Sequence, residues 1–596
     1  MKINDKALWK SLFKYMKPYL FQYFICFILM IIVVGVDLVV PRLLGLSLKY
    51  LGEDVIDFNK LINLFIIGVS VVVFGAVVNY FQSLLLSYTA NKIVLHIRED
   101  VFTHIQDLSH NQFSKEPVGK LVTRATSDVN ELYALYANVI LNAIKNVVTI
   151  IGVFIMMMTL NKTMALIVLA IFPVVVVVTI VCRNKLRSIH REVRNDVSNM
   201  NAFLSENITG IKTIQVYHQE KKKYGEFDSR NKSLKKNKIR EIFTFGVFRP
   251  SIYLIYILSV VVIMYVGGNM AISFNLGLTT VVVTYDILYT FYQYIAKFYN
   301  PVQALADEYN VLQSAFAAAE KIFTILDVKT EIVDEPDAID IDLKGNIEFK
   351  HVWFKYLEDE WVLKDVSFKI NSKDVVAFVG ATGSGKTTIL SLITHNYEIQ
   401  KGQILIDGID IKHIKIASLR SQIGQMLQDV FLFSGDVKSN IRLDDEKITD
   451  SDIKEASDEV CLTPIVNNFP DGFDEVVYER GNNFSLGERQ LISFARTVAH
   501  HPKLIILDEA TSNIDTETET IIKDSLERII NNNTMIMVAH RLSTIQKANK
   551  IFVFNKGEIV EEGDHQSLLK KRGRYYDLYM MQYENLDENN KGEATI

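Results

Sequence analysis

Residues 167–182 read IVLAIFPVVVVVTIVC, and a run this apolar must be hidden from water, in a protein core or in lipid. About twenty consecutive apolar residues carry a helix across a bilayer. Six stretches reach that length, roughly 19–46, 61–88, 134–160, 163–182, 243–269 and 279–302. Any one alone reads equally well as a buried core helix, and the fourth as a β-rich run. Six in series, all in the first half and separated by polar stretches of two alternating kinds, point to a helical membrane bundle. The second half has the mixed charge of an ordinary globular domain. A chain of 596 residues exceeds one core, so at least two domains are expected.

Lys and Arg orient the bundle. The leader before residue 18 carries five lysines, and stretches 91–133 and 183–241 are long, charged and rich in Lys and Arg. The connections near 50–58, at Asn161 and Lys162, and at 270–278 are short and lack that excess. The basic stretches, both termini and the second domain are therefore expected in the cytoplasm of a multi-pass protein of the cell membrane. Within HIREDVFTHIQDLS, Ile97, Val101, Ile105 and Leu108 recur at helical spacing, so the membrane helices should continue into the cytosol. The net charge of −5 offers no basic face for nucleic acid. Cys26, Cys182 and Cys461 lie far apart and show neither metal-ligand spacing nor a disulfide framework.

The domain boundaries follow from text changes: a transmembrane domain over 1–328 with two cytoplasmic loops, an acidic Pro-containing linker over 329–342, an α/β nucleotide-binding domain over 343–584 and a disordered tail over 585–596. In the third segment, short runs such as VVAFV, KLIILDE, TMIMVAH and KIFVFN alternate with helical text.

GATGSGKTT at 380–388 fits the phosphate-binding loop pattern directly after the apolar run VVAFV. Gly380, Gly383 and Gly385, with Thr382, Ser384 and Thr388, let backbone N–H groups curl around phosphates at a helix N-terminus; Lys386 reaches the terminal phosphates and the Thr387 hydroxyl can ligate Mg2+. Alone, this leaves kinases, GTPases and helicases open. KLIILDEA at 503–510 narrows the choice: Asp508 ends a buried strand where it can hold the Mg2+ shell, and Glu509 can polarise an attacking water.

With these motifs the text resembles the ATP-binding cassette family over essentially the whole chain, in the order of its exporters: six membrane helices, then one cassette. The resemblance implies ATP as substrate, Mg2+, Tyr356 of VWFKY stacking on adenine, Gln428 of MLQDVFLF bridging Mg2+ and the membrane domain, Asp515 of SNID facing the dimer interface, and His540 of MVAHR on the γ-phosphate. YERG at 478–481 resembles the exporter segment that touches the coupling helices. FSKEPVGKLVTRATSDVNEL and ENITGIKTIQVYHQE resemble the two loops that dock on the cassettes. No protease-like segment precedes residue 19, which argues against leader-peptide processing.

The family signature reads Leu-Ser-Gly-Gly-Gln, and the matching residues are Phe484, Ser485, Leu486, Gly487 and Glu488. Ser485 and Gly487, implied to contact the γ-phosphate across a dimer interface, are kept. Leu486 adds bulk, and Glu488 adds charge near a polyphosphate. In a two-site dimer a signature serves the partner's nucleotide, so a heterodimer with one consensus and one degenerate site is favoured over a homodimer. In the sixth span, Tyr285, Tyr289 and Gln293 share a face. They read either as packing and interfacial aromatics or as the lining of a cavity for large apolar or cationic compounds. Asp286, and Asp37 in the first span, cost free energy in lipid, and one of them is expected to line the pathway. The resulting expectation is an ATP-driven efflux subunit of multidrug type for small hydrophobic or amphipathic compounds. The alternatives are a lipid or peptide exporter, or a ligand-sensing membrane ATPase that moves nothing.

Overall fold

The structure, a computed structural model, describes residues 5–52, 57–275, 283–356, 360–426, 430–508, 520–521, 524–525, 528–529, 533–538 and 545–581. Two compact units emerge, Met1–Gln106 with Pro117–Val328, and Asp107–Glu116 with Lys329–Ile596.

The first unit is helical: α1 (Asp5–Met16), α2 (Leu20–Leu51), α3 (Phe58–Asp107), α5 (Val118–Leu160), α6 (Lys162–Thr209), α7 (Ile211–Val216), α8 (Glu220–Asn275) and α9 (Tyr285–Leu326). The short α4 (His110–Lys115) belongs to the second unit. Each of the six apolar stretches lies on a helix, the sixth from Tyr285 onward, since 276–282 fall outside the described residues. Lys6–Leu51, Phe58–Asp107, Val118–Leu160 and Tyr253–Ser273 are long and apolar enough to cross a bilayer; α6 has a shorter apolar stretch, Lys162–Val178. The fourth stretch is thus helix, not strand. α3 runs for 50 residues and α8 for 56, about 75–85 Å at the helical rise and far more than a bilayer core requires. Apolar side chains such as Phe21 and Phe65 stand largely exposed, as lipid-facing residues do.

Inside the bundle, α2 and α9 approach closely. A Cβ on Gly45 would lie 2.9 Å from the Asp286 carbonyl oxygen, so only glycine fits there. Near the chain's N-terminus, the Tyr136 hydroxyl donates to the Leu12 carbonyl at 2.8 Å, and the Tyr23 hydroxyl donates to the Tyr136 carbonyl at 2.9 Å. These bonds satisfy buried polar groups where α1, α2 and α5 meet.

The second unit is α/β. An antiparallel sheet orders β2 (Leu363–Ile370), β1 (Ile347–Phe354), β4 (Lys401–Ile406) and β5 (Ile409–Asp410). A second sheet orders β12 (Glu558–Gly563), β11 (Lys550–Asn555), β3 (Val375–Gly380), β10 (Thr534–Val538), β9 (Leu504–Asp508) and β6 (Ile423–Met426). Apart from β12, its strands pair in parallel. The fully buried strands alternate between two cores. Val376 and Phe378 of β3 join Phe349, Phe368 and Phe554 on the side of the antiparallel sheet. Val375, Ala377 and Val379 join the core beneath the helices α11 (Val437–Arg442), α12 (Asp450–Glu459) and α13 (Leu486–Ala499). A two-stranded antiparallel sheet, β7 (Gly435–Asp436) with β8 (Val476–Val477), lies beside α11.

One boundary differs from the sequence reading, which placed Asp107–Glu116 in the transmembrane domain. Ser109 and Gln112 form a capping box at α4, the Gln112 amide donates to the Lys329 carbonyl at 2.6 Å, and the Asn111 amide donates to Glu331 at 2.9 Å. Bonds to residues beyond 328 draw this segment into the second unit.

Candidate functional site

The phosphate-binding loop links the C-terminal end of β3 to α10 (Lys386–Ile393). Its turn needs glycine. Gly385 caps α10 at φ +104°, where a Cβ would fall 2.7 Å from Leu363 Cδ2 and 3.3 Å from the Val362 carbonyl. Lys386 is buried, and its ammonium donates to the carbonyls of Gly380 at 2.8 Å and Ala381 at 3.0 Å. The ammonium is therefore held inside the loop's own curve. The Ser384 hydroxyl is buried with no hydrogen-bond partner among the described residues. Thr382, Gly383 and Thr387 are exposed, and Thr388 is buried. A loop that presents helix N-terminal N–H groups, a held ammonium and an orphan hydroxyl is chemically an anion cradle.

Asp508 ends β9, which pairs in parallel with β10, which in turn pairs with β3. One strand therefore separates Asp508 from the loop, about 10 Å at ordinary strand spacing. Such a crevice beyond the strand ends is where open parallel sheets bind ligands. The Tyr356 ring is exposed along one side, and its hydroxyl donates to Thr388 Oγ1 at 3.0 Å. It meets Phe354 and Tyr397 edge to face, with ring centroids 4.8 and 5.1 Å apart, and burial pushes its phenol pKa up. The structure thus ties Tyr356 to the phosphate-loop helix. Gln428, Glu509, Asp515, His540 and the tail 585–596 lie outside the described residues.

Ser485 is the N-cap of α13. Its hydroxyl accepts from the Glu488 N–H at 3.2 Å, and the Glu488 carboxylate accepts from the Ser485 N–H at 2.7 Å. The unexpected acid thus closes a capping box, which suits the positive end of a helix. Gly487 is buried and Leu486 half-buried, while Phe484 packs on Phe469 at 5.2 Å. Before the cap, Arg480 and Gly481 take left-handed backbone angles, and Asn483 pins the turn to Val476 and Tyr478.

Arg496 and Asn440 were not legible as site residues. From inside α13, Arg496 donates to the Asn440 carbonyl at 2.7 Å and to the Phe431 carbonyl at 3.1 Å, locking this helix to α11 and to the segment before it. Burial holds its guanidinium pKa below the usual range. Its partners lie 56 and 65 residues away, which local sequence cannot signal.

In the membrane unit, Phe291, Tyr294, Phe298 and Tyr299 are core residues, whereas Tyr285 and Tyr292 are exposed and the Gln293 amide donates to the Tyr289 hydroxyl at 2.9 Å. Asp286 is buried, bonded to the Thr284 hydroxyl and paired with Arg42 at 3.5 Å. Asp37 instead lines a cavity and pairs with Lys297 at 3.3 Å.

The chain matches the ABC transporter transmembrane region over residues 23–299 and the ABC transporter family's ATP-binding region over 363–512. It belongs to the ABC transporter family. Among its relatives, the putative ABC transporter ATP-binding protein exp8 of Streptococcus pneumoniae is 34% identical over 97% of this chain and 98% of its own length. The probable multidrug resistance ABC transporter ATP-binding/permease protein YheH of Bacillus subtilis is 37% identical over 86% and 75%. A bacterial Atm1-family ABC exporter with ATP bound shares the fold at a TM-score of 0.73 and 24% identity, over 92% of this chain and 98% of that one. This ABC exporter subunit therefore joins membrane-spanning helices to an ATP-binding domain whose hydrolysis is coupled to transport.

Proposed function

We propose that this subunit forms one half of a heterodimeric efflux transporter in the cell membrane, exporting hydrophobic or amphipathic compounds, with one hydrolytic and one degenerate ATP site. The observation that carries the reading is the contrast between its two phosphate-facing helix ends. At α10 the loop offers Lys386, the Ser384 hydroxyl and the N–H groups of a helix N-terminus to a phosphate. At α13 the Glu488 carboxylate already occupies the helix N-terminus that a partner's γ-phosphate would meet.

In this reading Gly380, Thr382, Gly383, Gly385 and Thr388 shape the cradle for ATP. Lys386 turns from the loop carbonyls to the terminal phosphates, Glu509 orients the water, His540 contacts the γ-phosphate and Gln428 serves the Mg2+. Tyr356 leaves Thr388 to face the adenine. Ser485, Gly487 and Asp515 serve the partner's nucleotide. Thr387 and Asp508 offer hard oxygen donors on either side of β10, the donor chemistry that Mg2+ prefers. Bound there, the ion would offset phosphate charge. The multidrug reading draws on the name of YheH; other relatives are named a lipid A-core flippase and a fatty acid transporter, which keeps a lipid exporter as the second reading.

Flux in sealed vesicles tests the proposal. ATP-dependent accumulation of an amphipathic probe that vanishes in Lys386→Ala supports it. Ligand-stimulated ATP hydrolysis without flux would indicate a sensor instead.

A further inference from the structure

A cavity of about 330 Å³ opens within the membrane unit between α2, α3, α5 and α9, lined by Asp37, Asn79, Lys145 and Lys297 among valines such as Val36 and Val72. The charged positions sit deep in their helices. Asp37 precedes the end of α2 at Leu51, Lys297 follows the start of α9 at Tyr285, and Lys145 precedes Leu160, by roughly 20 Å of helix in each case. That depth is near the middle of a hydrocarbon core of about 30 Å.

Ionised groups at such depth are costly unless paired or facing a polar cavity. Asp37 and Lys297 pair at 3.3 Å. The Lys145 ammonium has no hydrogen-bond or ion-pair partner among the described residues. The cavity therefore presents two ammonium groups against one carboxylate. Asp286 cannot restore the balance, because it is buried against Arg42 and Thr284. What remains uncompensated is positive, beside an apolar wall.

We propose that this cavity takes the head group of an anionic amphiphile, a carboxylate or phosphate on an apolar tail, with Lys145 as its charge partner. The inference rests on the export of amphipathic compounds proposed above and names their class. Lys297 adds a second donor when its pair with Asp37 loosens, Asn79 supplies an amide to a head-group oxygen, and the valine side accepts the tail's first methylenes.

The test uses the assembled transporter in zwitterionic liposomes and four ligands with the same hexadecyl tail: palmitate, hexadecyl phosphate, hexadecanol and hexadecylamine, with acetate and inorganic phosphate as tail-less arms. Binding is read by competition against a fluorescent fatty acid. Both anionic ligands should bind about tenfold more tightly than the alcohol or the amine, the scale of one charged hydrogen bond. Lys145→Gln should erase that preference, Lys145→Arg should restore it, and Asp37→Asn should keep or increase it. An amine that binds as well as palmitate, or a preference unchanged in Lys145→Gln, would overturn the inference. So would inorganic phosphate competing as well as hexadecyl phosphate, because the tail would then play no part. If Lys145→Gln fails to assemble, the ligand ranking on the unaltered protein decides. Export of neutral and cationic amphiphiles with no anionic preference would sink this inference alone. Failure of every amphiphile to bind would sink both it and the efflux reading.

Discussion

At Glu488, charge and hydrogen-bonding geometry pull against each other. The carboxylate accepts from the Ser485 N–H at 2.7 Å, an interaction a glutamine side chain can also make. The two residues differ in charge at a helix end, not in capping ability. Glu488→Gln should therefore leave thermal stability almost unchanged while tightening ATP at the composite site that this signature serves. Glu488→Ala should lose the box and cost about 0.3–1.5 kcal/mol of stability. Melting curves and nucleotide titrations on the assembled transporter separate the two effects. A glutamine variant that binds ATP no better would show that the charge is immaterial to the partner's nucleotide. In the proposed hydrolytic site, Glu509→Gln should retain ATP binding while slowing turnover by orders of magnitude, because it removes the assigned base and leaves the Lys386 cradle intact. Near-normal hydrolysis in that variant would remove Glu509 from its assigned role.

Elements were legible where period and punctuation coincide. VVAFV and KLIILDE became β3 and β9 because fully buried parallel strands need unbroken apolar runs, and the glycine pattern after VVAFV marks a turn that few other residues can make. Pairings across the chain were not legible. Arg42 and Asp286 stand 244 residues apart, so the text offered Asp286 as a lone acid in lipid when the fold had already neutralised it. The same limit hid the cavity around Lys145, which only the fold assembles, and the α4 segment, whose partners Lys329 and Glu331 are fixed by tertiary contact. It also hid His500, which follows α13. Burial lowers its pKa, with Asp445 opposing and Arg496 reinforcing the shift, and its Nε2 is buried without a hydrogen-bond partner among the described residues. The unfolded chain takes up a proton at the ordinary value of about 6.5, whereas the folded chain resists it to lower pH. Folding is therefore opposed as pH falls through 6.5 toward the depressed folded value, and the effect is absent above it. His500→Gln should flatten that part of the curve of melting temperature against pH between about 7 and 5. An unchanged slope would assign the acid sensitivity elsewhere.

For the whole molecule, the decisive property is how two cassettes share their parts. In the proposed dimer, the residues assigned to this chain's own nucleotide, Lys386, Asp508, Glu509 and His540, follow the family pattern, whereas the signature assigned to the partner's nucleotide departs at Leu486 and Glu488. A homodimer would install the altered signature at both sites. A heterodimer confines it to one, and leaves this chain's own site to a partner whose signature is standard. That partner is expected to carry a defective residue after its own Walker aspartate, since the site facing Glu488 then needs only to hold ATP. Expressed alone, this subunit should show little or no ATP-driven transport. Co-expressed with the product of a neighbouring reading frame, it should purify as a one-to-one complex in which a single site hydrolyses ATP rapidly and the other retains it. Trapping with vanadate and counting nucleotides per complex measures this directly. A homodimer that transports at full rate when reconstituted alone, with both sites turning over equally, would refute the asymmetry. In that case the capping box at Ser485 and Glu488 would be sufficient reason for the acid, and the degenerate site would have no basis in this chain.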